Sequence, residues 1–363
     1  MGEVHLLGLG TALPPHMVGT TQVAHFLSQI AFAQGAPASF GTKVERLVRA
    51  SGVEHRYTVL ADYQATDPAD FKFFPKSWDL SPMPSTGARM ALYQAEVVPL
   101  AEAAARRALA DAKIDPKRVT HLIVTSCTGF FAPGPDVALI ERLGLSPDVE
   151  RTIVGFMGCY AGITGLRSAE RIVRAYPDAV VLEVAVELSS IHVQRTLELR
   201  AALPNLLFGD GAGAAVFAGH GPSLGRVLGG ASRVVPEYQA SMTWTIGDDG
   251  FVMHLDAEVP EAIEAATLPF VAALLERHGL SKDGVKGWAI HPGGRRIVTA
   301  AGEALGLNEA DLVPSLQTLR DIGNVSSATI FFVLERMRAR RGPVLALAFG
   351  PGLTLEGALL HLG

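Results

Sequence analysis

The chain has 363 residues, of which 48% are hydrophobic and 18% charged, a balance too apolar for intrinsic disorder and ample for two domains or one two-lobed fold. With 31 Lys and Arg against 36 Asp and Glu, the net charge of −5 excludes a global basic field for nucleic acid or an anionic membrane. Two cysteines, Cys127 and Cys159, are too few for a disulfide framework or an all-thiolate zinc site, and a cytoplasmic location is expected. The first residues carry no basic leader segment, and Leu6 stands where N-myristoylation takes Ser or Thr. No uncharged apolar run reaches the ~18 residues of a membrane span.

In chain order, Val4-His5-Leu6-Leu7 reads as a short strand running into a glycine turn. Gly8 and Gly10 superficially resemble a dinucleotide-binding motif, but Pro14-Pro15 forbids the helix that must follow directly. Residues 21–35 and 42–51 have helical periodicity, and residues 61–84, rich in Asp, Pro and Phe, read as a long loop or lid. An alanine-rich helix over 100–112 then leads to the apolar strand 120–126, a Gly-bearing turn, another helix and the apolar strand 179–186. The pattern returns with a helix over 262–278, a strand over 286–292, a turn, a helix over 328–340 and the strand 343–349. Continuous apolar strands alternating with helices imply buried, largely parallel sheets with helical cover. The chain is therefore expected to be a duplicated α/β fold, residues 1–219 and 220–363, whose equivalent tips face each other across a pseudo-twofold axis.

Chemistry-bearing residues fall at those tips. Cys159 lies in Gly155-Phe-Met-Gly-Cys-Tyr-Ala-Gly162, before a helix with small or apolar residues at 163, 166, 169 and 172. A helix N-terminus stabilises a thiolate, the nucleophilic form, although a lone cysteine reads equally well as a small buried residue. His291 ends a strand before Pro292-Gly293-Gly294, and Asn324 precedes the helix starting near Ala328. Singly these read as a core histidine and a helix cap. Together with Cys159, at matched points of a repeat, they form a Cys/His/Asn constellation.

Five blocks carry a family resemblance over nearly the whole chain: Gly158-Cys-Tyr-Ala-Gly162, Leu207-Phe-Gly-Asp-Gly-Ala212, Ile290-His-Pro-Gly-Gly294, Gly323-Asn-Val-Ser-Ser-Ala328 and Phe349-Gly-Pro-Gly-Leu-Thr-Leu-Glu356. In this order they resemble the type III polyketide synthases, the chalcone-synthase-like enzymes of the thiolase fold. Gly155-Phe-Met-Gly-Cys-Tyr and Met242-Thr-Trp-Thr-Ile-Gly247 are more similar to bacterial than to plant members. The resemblance implies a five-layered αβαβα sandwich and a homodimer that takes acyl-CoA and malonyl-CoA as substrates and needs no metal or redox cofactor. Cys159, paired with His291 as thiolate and imidazolium, accepts the acyl starter. His291 and Asn324 then stabilise the enolate that forms as malonyl-CoA loses carbon dioxide.

The resemblance also assigns Phe208 as a gating aromatic and puts Met253 where the family carries a second one, with Phe251 as a substitute. Cys127, Thr128, Glu187, His192 and Ser326 are cavity candidates; His192 is bulky where plant enzymes are small, which argues against a flavonoid-like product. Ala132 falls where the family often has a methionine that crosses the dimer interface. Lys43, Arg46 and Arg49 form the basic patch expected to meet the phosphates of coenzyme A, with Ala50 at one basic position of the family pattern; the same charges also read as a solvated helix face. The expected products are of pyrone, resorcinol or phloroglucinol type. A ketosynthase-III-like enzyme fed by an acyl carrier protein is the alternative, and a thiolase-fold scaffold without catalysis is a third reading.

Overall fold

A computed structural model describes residues 2–363, with side chains for all of these except 199–201. The chain opens with β1 (His5–Ala12), β2 (His16–Gly19), α1 (Thr20–Ala33), α2 (Ser39–Ser51) and β3 (His55–Thr58). Next come α3 (Thr86–Ala112), β4 (His121–Ser126), α4 (Pro135–Leu143), β5 (Glu150–Gly155), α5 (Ala161–Ala175), β6 (Val180–Leu188), α6 (Leu199–Leu207) and β7 (Asp210–Ala218). The remainder is β8 (Gly225–Val234), β9 (Met242–Gly247), β10 (Gly250–Leu255), α7 (Val259–Glu276), β11 (Gly287–Ile290), α8 (Arg295–Leu305), α9 (Glu309–Ile322), α10 (Thr329–Arg336), β12 (Gly342–Gly350) and β13 (Thr354–Leu362). No described helix is long and apolar enough to cross a membrane.

Nine strands form one mixed sheet in the order β11-β12-β13-β8-β1-β7-β6-β4-β5. The duplication is visible in that order. On one side, β5-β4-β6-β7-β1 are the third, second, fourth, fifth and first sheet strands of their half; on the other, β11-β12-β13-β8 repeat the order without a counterpart of the edge strand β5. The halves meet through two residue pairs of β1 and β8, His5 with Arg226 and Leu6 with Gly225. Pairing is parallel within β5-β4-β6 and β11-β12 and antiparallel from β6 to β1 and from β12 to β8. The expectation of largely parallel sheets is corrected there: the turn from Gly350 to Thr354 is too short for a crossover, so β12 and β13 must run antiparallel.

Helices supply the other layers. α3 and α4 cover the outer face of the first half, α5 and α10 lie between the halves, and α7 and α8 cover the second. Three apolar clusters fill these seams, each built on continuous Val, Leu, Ile and Ala runs. Gly8 and Gly10 have a packing role. A Cβ at either position would stand 2.5 Å from Ala112 N or 2.3 Å from Ala104 O on α3, so glycine lets that helix lie directly on β1.

Residues 61–84 are not a free lid. Phe71, Phe74 and Leu80 are buried, Phe26 of α1 packs at a tilt against Tyr63 at 4.6 Å, and Phe71 meets Trp78 edge-on at 5.2 Å. The Asp62 carboxylate accepts the N–H groups of Lys72, Phe73 and Phe74 at 2.8–3.0 Å. Aromatic burial and this carboxylate anchor turn a polar-looking stretch into part of the core.

One buried group breaks the apolar pattern. Glu183 on β6 is fully buried, and neither carboxyl oxygen has a side-chain or backbone partner within hydrogen-bonding geometry; the Thr125 and Thr164 hydroxyls are similarly unpaired. Burial raises the carboxyl well above its ordinary 4.5, which favours the neutral form in the fold. Its head occupies the space left by Gly165 on α5, where a Cβ would lie 2.1 Å from Oε1. We expect Gly165→Ala to lower stability by about 1–3 kcal/mol through overpacking. Glu183→Val should raise it by about 1–3 kcal/mol at neutral pH by removing an unpartnered polar group, and should relieve the Gly165→Ala penalty in the double variant. Because the unfolded chain ionises this carboxyl near pH 4.5 and the fold does not, the gain from Glu183→Val should shrink as pH falls below that value. Urea unfolding at pH 4 and pH 7 measures both effects.

Candidate active site

The nucleophile candidate stands at a junction of the halves. After β5 the chain turns through Phe156 (φ 59°) and Gly158 (φ 89°) and presents Cys159 one residue before the N-cap of α5, at the positive end of that helix. From the second half, His291 follows β11, tied by its own N–H to Leu347 O at 2.7 Å. Asn324 follows α9, and its backbone is laced to the end of α6: Asn324 N–H donates to Leu207 O and Gly209 N–H donates to Asn324 O, both at 2.9 Å.

The Asn324 side chain has one orientation. Its Oδ1 accepts from Ser326 N–H at 2.8 Å, while Nδ2 donates to Gly293 O at 3.3 Å, which turns the amide donor toward the Pro-Gly-Gly loop after His291. The Asn324 amide and the Ser326 hydroxyl also reach the Cys159 sulfur and favour its thiolate, but burial outweighs them and pushes the thiol up to about 12. Burial lowers the His291 imidazole to about 3. Both ring nitrogens of His291 lack a partner, so the thiolate–imidazolium contact expected from the sequence is not formed in this structure. In a dry site the neutral pair is favoured, and charge separation requires the ring and sulfur to meet.

Beside Cys159, a carboxylate organises the wall. Glu187 accepts Cys127 N–H at 3.0 Å, Thr128 Oγ1–H at 2.8 Å, Cys127 Sγ–H at 3.2 Å and the Ser327 hydroxyl. Cys127 also lies 3.3 Å from Ser326 Oγ, and burial followed by the Glu187 charge holds its thiol well above 9.0. His192 is equally committed. Its Nδ1 accepts Phe251 N–H at 3.1 Å, which leaves Nε2–H to donate to Thr128 O at 2.7 Å. The ring stacks on Phe251 at 4.2 Å, and burial lowers it to about 3.

The enclosed space beside Cys159 measures about 70 Å³, room for a few waters and not for an extended acyl chain. Cys127, Thr128, His192, Phe208, Met253 and Ser326 border it, whereas Glu187, His291 and Asn324 stand behind that lining. Arg56, Tyr63, Ser189 and Trp244 also border it and were not singled out from the sequence. A charged residue in a short strand gives no sign of burial, and in His55-Arg56-Tyr57-Thr58 the residues that the structure buries are Arg56 and Thr58, not the aromatic Tyr57.

Residues 1–222 match the profile described as chalcone and stilbene synthases, N-terminal domain, and residues 227–362 match the C-terminal domain of the same family. The chain belongs to the chalcone and stilbene synthase family. It is 31% identical to the alpha-pyrone synthesis polyketide synthase-like Pks18 of Mycobacterium tuberculosis, over 98% of this chain and 90% of that protein. It is 30% identical to the 1,3,6,8-tetrahydroxynaphthalene synthase of Streptomyces peucetius subsp. caesius, over 99% of this chain and 96% of the relative. Among solved structures, PKS-I from the brown alga Ectocarpus siliculosus superposes with a TM-score of 0.91 at 29% identity, covering 100% of this chain and 99% of the other. The fold is thiolase-like, and the protein is a type III polyketide synthase, an acyltransferase of decarboxylative condensation.

Within this synthase, Phe208 ends α6, and the aromatic ring packed deepest at the cavity is Phe251, with Met253 half-buried two residues on. The basic patch is divided. Lys43 and Arg46 are exposed on α2, while Arg49 faces a separate groove of about 1060 Å³ that also holds Arg295 and Arg320. The two thiols differ in a testable way: Cys127 is bound to a carboxylate, whereas Cys159 sits at a helix N-terminus. Limited iodoacetamide labelling followed by peptide mapping should find the adduct on Cys159 and leave Cys127 unmodified; equal labelling would contradict this assignment.

Proposed function

We propose that Cys159 is the acyl-accepting nucleophile and that His291 and Asn324 form the donor pair for the malonyl thioester. The observation that carries this reading is the fixed Asn324 amide, aimed at the loop of an imidazole with two unused nitrogens, beside a cysteine at a helix N-terminus. In loading, the Cys159 sulfur gives its proton to His291 and attacks the acyl carbonyl carbon, and the coenzyme A thiolate leaves and takes that proton. In extension, malonyl-CoA loses carbon dioxide, and the electron pair of the broken C–C bond passes to the thioester oxygen. Two preorganised donors are worth most where that charge develops. The enolate carbon then attacks the acyl-Cys159 carbonyl and expels the cysteine thiolate, leaving a chain two carbons longer on coenzyme A. No metal or redox cofactor takes part, since loss of carbon dioxide replaces proton abstraction.

The products we assign are of pyrone, resorcinol or phloroglucinol type. His192 and Phe251, stacked and hydrogen-bonded into the wall, favour compact chains, and Phe208 with Met253 makes the gate. The groove with Arg49, Arg295 and Arg320 suits the phosphates of coenzyme A, with Lys43 and Arg46 adding long-range attraction from the outer face of α2. A cytoplasmic setting fits two free thiols.

A second copy of the chain is the partner we propose, docked on the edge strand β5. Its residues are almost all exposed, Ile153 by 52%, and Phe130 of the adjoining loop is 56% exposed. An unpaired strand edge beside exposed apolar side chains is a pairing surface. Ile153→Glu should shift the protein from dimer to monomer in sedimentation velocity; a wild type already monomeric at micromolar concentration overturns the assignment.

The residue roles are tested with a series of acyl-CoA starters and labelled malonyl-CoA. Cys159→Ala should abolish acyl-enzyme in intact mass spectra, and activity confined to carrier-protein thioesters would overturn coenzyme A delivery. Asn324→Ala should slow malonyl decarboxylation by about 100-fold and loading much less, while His291→Ala impairs both steps. Equal losses in the two steps for Asn324→Ala would remove it from the enolate site.

A further inference from the structure

One charged group at the cavity is not used by this chemistry. Arg56 on β3 is 1% exposed and borders the same space as Cys159. Its Nη1 donates to the carbonyls of Asn205 and Phe208, the latter at 2.6 Å, and its guanidinium lies 4.7 Å above the Tyr63 ring. Nε and Nη2 have no partner. The nearby carboxylate, Asp210, is engaged elsewhere, by Val59 N–H at 2.8 Å, Ser190 N–H at 2.8 Å and Ser190 Oγ–H at 2.6 Å. Ser189, which also borders the cavity, has an unpartnered hydroxyl as well.

A guanidinium stays charged in a protein, and burying it with two donors unused is unfavourable until an acceptor arrives. Its planar fork fits the two oxygens of a carboxylate better than any single carbonyl. The lining holds aromatic and apolar side chains, Phe208, Trp244, Phe251 and Met253, beside neutral polar ones, Ser190, Gln194 and Asn205, and Arg56 is the one guanidinium among them. We propose that Arg56, with Ser189 as a second donor, recognises a carboxylate carried by the acyl thioester, so that the enzyme accepts a dicarboxylic acyl group. This rests on Cys159 being the acyl acceptor. The carboxylate has two sources, the far end of a diacid starter or the malonyl extender before it loses carbon dioxide. The Nη1 bond to the Phe208 carbonyl couples the occupied subsite to the gating residue.

The test uses the full chain and intact-mass measurement of acyl-Cys159 after mixing with glutaryl-CoA or hexanoyl-CoA, and in a separate arm the KM for malonyl-CoA decarboxylation. Wild type should load glutaryl faster than hexanoyl groups if the starter is the source. Arg56→Gln should then lower the glutaryl-to-hexanoyl loading ratio by about 10- to 100-fold, and Arg56→Lys, which keeps charge without the fork, by less. A raised malonyl KM in the same variants with an unchanged loading ratio assigns the carboxylate to the extender. Because Nη1 also holds two backbone carbonyls, Arg56→Gln can lose stability. Ser189→Ala, which leaves those bonds intact, should lower the same ratio or raise the same KM by a few-fold. Variants with the wild-type melting temperature that change neither quantity overturn the proposal. Failure of wild type to form an acyl-enzyme with any thioester overturns the assignment of Cys159 instead.

Discussion

The backbone ladder between Leu207-Phe208-Gly209 and Asn324 is the constraint on which the rest of the site depends. Two hydrogen bonds of 2.9 Å join the end of α6, in the first half, to the turn after α9, in the second. Arg56 adds a third tie by capping the Phe208 carbonyl at 2.6 Å. Because the amide of Asn324 is oriented by its own turn and that turn is fixed to Phe208, the two residues are held in one backbone unit. The duplicated fold makes this possible, since strand ends of both halves converge there while α5 and α10 fill the seam behind them.

The second organising feature is dryness. Burial is the leading cause of the shifts at Cys159, His291, His192 and Glu187, and in each case it favours the uncharged form. His192 has both nitrogens bonded and acts as a fixed panel behind Phe251. His291 has both nitrogens free. Two histidines of similar burial thus differ in their partners, a distinction that pKa alone does not draw.

Much of this was legible in the sequence, for a physical reason. The apolar runs at 120–126, 179–186 and 343–349 could only be buried strands, and their repetition placed Cys159, His291 and Asn324 at comparable tips. What escaped was decided by contacts remote along the chain. The stretch 61–84 has the composition of a loop, and Phe71 and Phe74 show neither strand nor helix period, so their burial against α1 leaves no local trace. Arg56 looks like a surface charge until Asn205 and Phe208, about 150 residues later, close over it. Glu183 hides inside an apolar run because only Gly165, on a different element, makes room for it. The parallel expectation failed where a three-residue turn overrode a pattern that reports burial and not direction.

The unequal strand count of the two halves has a further consequence. β5 lies open at one end of the nine-stranded sheet, whereas β11 at the other end is buried along its whole length. A body with open edges at both ends can add copies indefinitely, as fibrils do. With a single open end, edge-to-edge association is self-limiting: once two copies are joined, no strand is left to recruit a third. The pairing proposed for β5 would therefore end at two copies.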